Sequence, residues 1–362
     1  MSINPTPELR ALFVTIASSE IGFGHLNRCI SIAATPIGKK IVPSFLVFGD
    51  DSANQVLRTT AYQFELHHGA NILETCSKIS NAPTQHYDLA IIDIAHPLIL
   101  KPQTNLKALF KVLSGLAKRT AALDSLGKDS IAIRSPKALL NTLVVPYVIN
   151  DDALLKLKNV HAQCLYGIQY ALLSSAYLQC AERSQRQNAN RILIVSGGSD
   201  PKQFTPVVLR ALEKIEIDLE IRVVIGPLFS KHLTKLLVKI SDNSTHKISL
   251  LLSPNSLKEH MLWSDLTISA SGLTKYELAA TGTPSILFSI DEKHDFANKA
   301  FANLETSIDL GVLPNHERVT KTAHELLTDT KLRNQMSIRG QQAVDGKGSA
   351  RLLTELTKDL TC

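Results

Sequence analysis

The sequence is poor in the features that mark disulfide scaffolds, zinc proteins and membrane proteins. Its five cysteines, Cys29, Cys76, Cys164, Cys180 and Cys362, are odd in number, widely spread and free of any C-x-x-C pair. Neither a disulfide framework nor a metal site is therefore expected, and the thiols read as reduced and mostly buried. No apolar run approaches the roughly 18 residues that a membrane-spanning helix needs. The polar start MSINPTPELR lacks the apolar centre of a secretory signal, which makes the cytoplasm the expected location. Runs of like charge are missing too: the net charge is +6, but the Lys and Arg residues are scattered. No nucleic-acid arm is implied, and the mild positive field suits an anionic small molecule.

What is present is a folded, two-domain composition. The chain has 362 residues, 44% of them hydrophobic and 20% charged, with no low-complexity tract, so order is expected nearly end to end. From residue 11 short apolar runs alternate with amphipathic stretches. The expected strands of the first half are LFVTIA, VPSFLVFG, QFELHH, DLAIIDIA, RTAALD and TLVVPYV, with helices clearest at 25–35 and 104–117. The pattern weakens near 160–190, where CAERSQRQNANR is polar, and then restarts with RILIVS, LEIRVVIG, KISLLL, DLTISA and TPSILFSI before a mainly helical end. Continuous apolar strands separated by helices predict an α/β chain of two Rossmann-like, doubly wound parallel-sheet domains facing a cleft. The expected bounds are 10–180 for the first domain, 190–345 for the second, and a final helix at 346–362 packing back on the first. Ligands of such sheets sit beyond the carboxyl ends of the strands, so the loops there are the places to seek chemistry.

Four loops qualify. In EIGFGHLNRC, Gly22 and Gly24 precede a helix whose apolar face is Leu26, Cys29, Ile30, Ala33 and Ala34, while His25 and Arg28 share another face. Asn27 stands where a dinucleotide fingerprint needs its third glycine, although Asp50 and Asp51 could imitate the acidic ribose partner. A glycine-softened turn is the bland reading; a catalytic base is the sharper one, since a helix N-terminus favours a neutral, proton-accepting ring. In RILIVSGGSDP, Gly197 and Gly198 let backbone N–H groups approach phosphate oxygens, and Asp200-Pro201 reads as a helix start. In LTISASGLTKYE, Thr274 and Glu277 fit a capping box, and Glu277 equally suits the two hydroxyls of a ribose. In DEKHDFANKAF, His294 and Asn298 lie on one helical face.

Together GFGHLNRC, GGSDP, SASGLTKYE, GTP and VDGKGSARL (344–352) resemble, in order and over most of the chain, the UDP-sugar hydrolases of pseudaminic acid biosynthesis. These are GT-B proteins akin to the N-acetylglucosaminyltransferase that makes lipid II. The resemblance implies a UDP-sugar substrate and no cofactor or metal. It places the pyrophosphate on backbone N–H groups near Gly197, Gly198, Ser271 and Gly272, and the ribose on Glu277 beside Thr274. His294 and Asn298 resemble the H-Q-x-x-N helix of the lipid II enzyme, with Asp295 in place of Gln. The first domain would hold the sugar, His25 would activate water for inverting attack at the anomeric carbon, and Arg28 would assist the leaving diphosphate.

One departure stands out. The hydrolases carry an Asp followed shortly by a Tyr after the fourth strand, whereas this chain reads IIDIAHPLIL, with Asp93 but no nearby aromatic. Asp93 and His96 are the candidate sugar contacts, His96 as the replacement for the missing aromatic. The paired Asp residues after the fifth strand are reduced to LDSLGKD, with Asp124 and Asp129. The leading expectation is a UDP-sugar hydrolase. The alternatives are a GT-B glycosyltransferase, for which HPLILKP is a candidate lipid-facing segment allowing peripheral membrane contact, and a non-catalytic or dinucleotide-using protein on the same scaffold.

Overall fold

The computed structural model of the protein describes residues 9–69, 71–80, 87–125, 130–134, 140–149, 151–178, 180–270 and 272–360, with the backbone alone at 38, 39, 132, 151, 153, 293, 294 and 296. The chain divides into two compact α/β units. One runs to Ser175 and takes back the chain from Lys347 onward; the other is Ala176–Gly346.

The first unit is built on β1 (Leu9–Ala17), β2 (Ile41–Gly49), β3 (Gln63–His68), β4 (Tyr87–Asp93), β5 (Ala117–Leu123), β6 (Thr142–Val145) and β7 (Gln163–Tyr166). They form one sheet in the order β3-β2-β1-β4-β5-β6-β7, and every pairing is parallel. Strand β1 is buried from Ala11 to Ala17 because helices cover both faces, whereas edge strand β3 alternates exposed and half-buried residues. The second unit carries β8 (Arg191–Val195), β9 (Glu220–Ile225), β10 (Lys247–Leu252), β11 (Leu266–Ala270), β12 (Ser285–Ser289) and β13 (Ser307–Val312), in the order β10-β9-β8-β11-β12-β13. It too is parallel throughout.

Both strand orders reverse beside the first strand of the unit, between β1 and β4 and between β8 and β11. Crossovers leave in opposite directions there, which opens a crevice beyond the carboxyl ends of those strands. The carboxyl ends of β1, β4, β8 and β11 and the segments just after them carry His25, Asp93, His96, the Gly197-Gly198 pair and Gly272.

Two strands went unread in the sequence. Strand β7 is only four residues long, and β13 contains Asp309 and Gly311, with a register shift against β12. Both are edge strands, which need no continuous apolar run.

The helix that carries His25, Gly24–Ala33, buries Leu26, Cys29, Ile32 and Ala33. These share one core cluster with Leu352, Leu353 and Leu356 of the helix Gly348–Thr357. Gly348 permits that docking: a Cβ there would lie 2.1 Å from the Ala171 carbonyl oxygen. Ser349 Oγ donates to the Leu173 carbonyl at 3.0 Å and fastens the same turn. The chain's last helix therefore braces the one that presents the candidate base.

In the second unit the turn after β9 presses on the glycine loop after β8. A Cβ at Gly226 would stand 2.3 Å from the Gly198 oxygen and 2.6 Å from the Gly197 oxygen, both backbone atoms that cannot rotate away. Gly226→Ala is therefore expected to lower stability by about 1–3 kcal/mol, the usual cost of overpacking. Gly198→Ala, whose Cβ would meet only Leu228 Cδ1 at 4.0 Å, should fold normally. Scanning calorimetry of the two variants checks this.

Candidate functional site

In the first unit the loop after β1 turns through Ser18 to Gly22. Gly22 has φ +80°, and its N–H donates to the Ser18 carbonyl at 2.8 Å. Phe23 occupies the N-cap without a side-chain cap bond, and Gly24 opens the helix. His25 and Arg28, one helical turn apart, then point together at Asp93, the last residue of β4. Asp93 sits level with Thr15 of β1, so the switch point itself brings these groups together.

The three side chains form a closed set. His25 Nδ1 lies 2.6 Å from Asp93 Oδ1; Arg28 Nε donates to Asp93 Oδ2 at 2.8 Å and an Arg28 terminal nitrogen to Oδ1 at 2.9 Å. The Asp93 side chain is 1% exposed. Burial alone would push its carboxyl up, but Arg28 and then His25 outweigh that and hold it at about 2. An ionised carboxylate can only accept, so His25 Nδ1 must carry the proton and donate it to Asp93. Nε2 is left as the accepting nitrogen, the arrangement a general base requires. Arg28 NH2 also lies 2.9 Å from His25 Nδ1; with both atoms carrying hydrogen, this contact reflects their shared carboxylate.

The same geometry redirects Arg28. Two of its three nitrogens face Asp93, and although burial opposes the charge, Asp93 outweighs it and raises the guanidinium above its ordinary value. The edge expected to meet a leaving diphosphate is instead turned inward, onto the carboxylate.

Two further groups border the set. His96, just after β4, meets the His25 ring edge-on, with centroids 6.0 Å apart at 86°, and its Nδ1 accepts the Leu98 N–H at 3.3 Å. Tyr147, two residues beyond β6, accepts a hydrogen bond from Arg28, and burial raises its phenol. Asp124, buried beyond β5, is close enough to raise that phenol further and accepts from Ser130 Oγ at 2.8 Å. Asp129 lies outside the described residues. Sequence reasoning missed Tyr147 by running the sixth strand through it. Pro146 was the signal, since proline cannot continue a ladder on a central strand, and it releases Tyr147 into the loop region where ligands bind.

Of the acidic pair proposed for a dinucleotide ribose, Asp50 is otherwise engaged, while Asp51 is exposed on the surface near His68. Asp50 accepts from Ser19 N at 2.9 Å, Ser19 Oγ at 2.7 Å and Ser52 N at 3.0 Å. Although burial opposes it, the Ser52 and Ser19 bonds hold its carboxyl at about 2. It ties the loop after β1 to the turn after β2, which removes Asp50 as the acidic partner of the dinucleotide reading.

In the second unit Gly197 has φ +75° and Gly272 φ +126°, with no atom within 4 Å of where a Cβ would stand on either. Both loops thus present bare backbone. The expected helix start at Asp200-Pro201 is displaced: the helix is Phe204–Leu212. Asp200, at φ +43°, accepts from Phe204 N at 2.8 Å and Thr205 N at 2.9 Å. Its carboxylate therefore occupies the amino end of that helix, and leaves the glycine loop as the accessible donor surface.

The capping box is not formed. The helix Thr274–Ala280 has Leu273 at its N-cap, with no side-chain cap bond, so Thr274 begins the helix itself. Glu277 instead takes the hydroxyl of Tyr177, and burial pushes its carboxyl up to about 7 against that bond. Asn298 is fully buried. It donates from Nδ2 to Phe288 O at 3.2 Å and Ser289 Oγ at 3.0 Å, and accepts from Lys275 Nζ at 3.1 Å. It thereby pins the helix Glu292–Ala302 to the end of β12. Burial brings the Lys275 ammonium down to about 8. Asp295 pairs with Lys299 at 2.6 Å. Ser271 lies outside the described residues, as does the His294 side chain. The described residues contain no cluster of metal-ligating type, and no helix among them is long and apolar enough to cross a membrane.

No known family model matches the chain. The spore coat polysaccharide biosynthesis protein SpsG of Bacillus subtilis is 28% identical over 199 residues, 54% of this chain and 58% of SpsG. The match thus spans little more than half the length of that relative. Among solved structures, MurG of Acinetobacter baumannii superposes with a TM-score of 0.67 at 13% identity, over 97% of this chain and 100% of that one. A putative UDP-N-acetylglucosamine 2-epimerase from Listeria monocytogenes gives 0.66 at 13% identity, over 98% and 97%. The fold is accordingly GT-B, as the motifs led one to expect.

Glu277 makes stability depend on pH in a defined direction. A carboxyl raised in the folded state stabilises fully below its unfolded value near 4.3, and that contribution is lost as pH rises through about 7. The melting temperature is expected to fall by a few degrees or more between those limits, and Glu277→Gln should remove that component. Calorimetry across the range checks it.

Proposed function

We propose that the protein is a UDP-sugar hydrolase of surface-glycan biosynthesis in which His25 is the general base. The observation that carries this reading is the buried Asp93 carboxylate holding His25 through Nδ1, at 2.6 Å, at the switch point of a parallel sheet. The GT-B fold and the polysaccharide-biosynthesis relative support the substrate class. In the proposed step His25 Nε2 takes a proton from water as its oxygen attacks the anomeric carbon. The bond from that carbon to the diphosphate breaks with inversion, and UDP leaves with the electron pair. Backbone N–H groups of the Gly197-Gly198 and Gly272 loops would receive the pyrophosphate, and Glu277 the ribose hydroxyls.

The geometry supports three further assignments in this reading. Arg28 acts as a positioning residue that keeps Asp93 ionised. Asn298 is likewise a positioning residue, because its amide is engaged inside the protein. Tyr147 is the sugar contact that the segment after Asp93 lacks, supplied from beyond β6, with His96 as its neighbour across His25. A transferase reading draws support from one observation: Leu98, two residues after His96, is 40% exposed and would suit a lipid-linked acceptor. An acceptor hydroxyl would use the same base.

The discriminating experiment supplies a panel of UDP- and CMP-sugars, with and without acceptor, in oxygen-18 water. Release of UDP without acceptor, with label at C1 of the free sugar, is the expected result; release that requires an acceptor would replace hydrolysis by transfer. His25→Ala should lose roughly 10²-fold or more in kcat while keeping its affinity for UDP. Equal turnover in that variant removes His25 from the mechanism. Tyr147→Phe should lower kcat/KM about tenfold, near 1.4 kcal/mol, again without changing UDP affinity in calorimetric titration.

A further inference from the structure

We propose that the second unit holds a separate site for a phosphorylated small molecule, in the cavity at the amino ends of β8 and β11. This cavity has a volume of about 360 Å³, within the range of small-molecule sites. Arg191 opens β8, and Asp265 immediately precedes β11. The site therefore lies roughly 15 Å or more along the strand direction from the Gly197-Gly198 loop, at the opposite end of the sheet from the proposed nucleotide contacts. It does not depend on the function assigned above.

The charges lining it do not balance. Arg183, Arg186, Arg191 and Lys258 face Asp265, with Glu182 as the other acid. Asp265 is already committed: Arg186 Nε donates to it at 2.8 Å and a terminal nitrogen makes a second, shorter bond, while the Asn190 and Arg191 backbone N–H groups donate at 2.9 Å each. Arg183 donates hydrogen bonds only to neutral groups, Met261 O at 2.9 Å, Thr283 Oγ1 at 2.7 Å and Ser264 O, and the pull of Asp265 on its charge is weaker than the cost of burial. Burial accordingly brings its guanidinium down to about 10. Lys258 Nζ donates to the neutral Ala176 carbonyl at 2.5 Å, and Glu182 is exposed.

Arg191 is the decisive residue. Its Nε is buried with no hydrogen-bond partner, and among the described residues its side chain makes no hydrogen bond at all. Its guanidinium is held over the Trp263 ring at 5.6 Å. A guanidinium that makes no hydrogen bond to the described residues, set beside an aromatic face, together with two further cations whose hydrogen bonds go only to neutral groups, matches a phosphate group. Phosphate would accept from the terminal nitrogens of Arg191 and carries the charge the cavity lacks.

Trp263 is the chain's single tryptophan and lines this cavity, with Arg222 stacked on its ring at 3.8 Å, so its emission responds to changes at the site. The test titrates the full chain with inorganic pyrophosphate at an ionic strength held constant with sodium chloride, in the presence of saturating UDP. A saturable emission change is expected with a half-point below about 1 mM. Arg191→Gln should move that half-point at least tenfold higher, the scale of a lost charge-assisted pair. Arg191→Lys, which keeps the charge and loses the fork, should fall between. Should Arg191→Gln fail to fold by circular dichroism, the Lys variant and Lys258→Gln carry the comparison. A linear change matched by sodium chloride, the same half-point in wild type and every variant, or no saturable change while UDP is saturating would each overturn the proposal.

Discussion

The proposed catalytic site depends on one buried carboxylate. Asp93 ends a strand that is covered on both faces, where an ionised group without partners would be too costly to keep. Arg28 offsets that cost by engaging both oxygens, and with the charge secured Asp93 dictates which nitrogen of His25 carries hydrogen. The pairing also determines what the neighbours can do. Arg28 turns two of its nitrogens onto the carboxylate, and Tyr147 is brought to the site by its bond to that same guanidinium. Removing the carboxylate would leave a buried cation, a change that typically costs 3–5 kcal/mol.

The second unit repeats the strand order with different chemistry. Its switch point presents open glycine backbone where the first unit presents charged side chains. Asp200 closes the nearest helix end, Gly226 supports the glycine loop from beneath, and Asn298 with Lys275 locks the helix after β12. The result is a surface of backbone donors on a braced scaffold, beside a carboxyl group at Glu277 whose burial makes it unusually easy to protonate.

How much of this could be read in the sequence depended on the range of the interaction. Local patterns sufficed for the strands, because a strand covered by helices must be apolar along its whole length; for the His25 helix, because its apolar spacing is regular; and for the glycine loops. Edge strands β7 and β13 escaped because they need only part of that apolar run. The spacing of His25 and Arg28 placed them on one face, but their common partner lies more than sixty residues away, and only the sheet order brings it there. The same applies to Tyr147, and to Tyr177, whose hydroxyl takes Glu277 away from the capping role that its spacing advertised. Asp200 was legible as a helix-start residue, yet its left-handed backbone moved the start to Phe204.

The most direct measurement of the central claim is the nitrogen-15 NMR spectrum of His25 near neutral pH, with the ring assigned by comparison with His25→Ala. The account predicts a proton on Nδ1 and a bare, accepting Nε2, and a shift of the proton towards Nε2 when Asp93→Asn removes the carboxylate. A wild-type ring protonated on Nε2, with Nδ1 accepting from Arg28 instead, would contradict it.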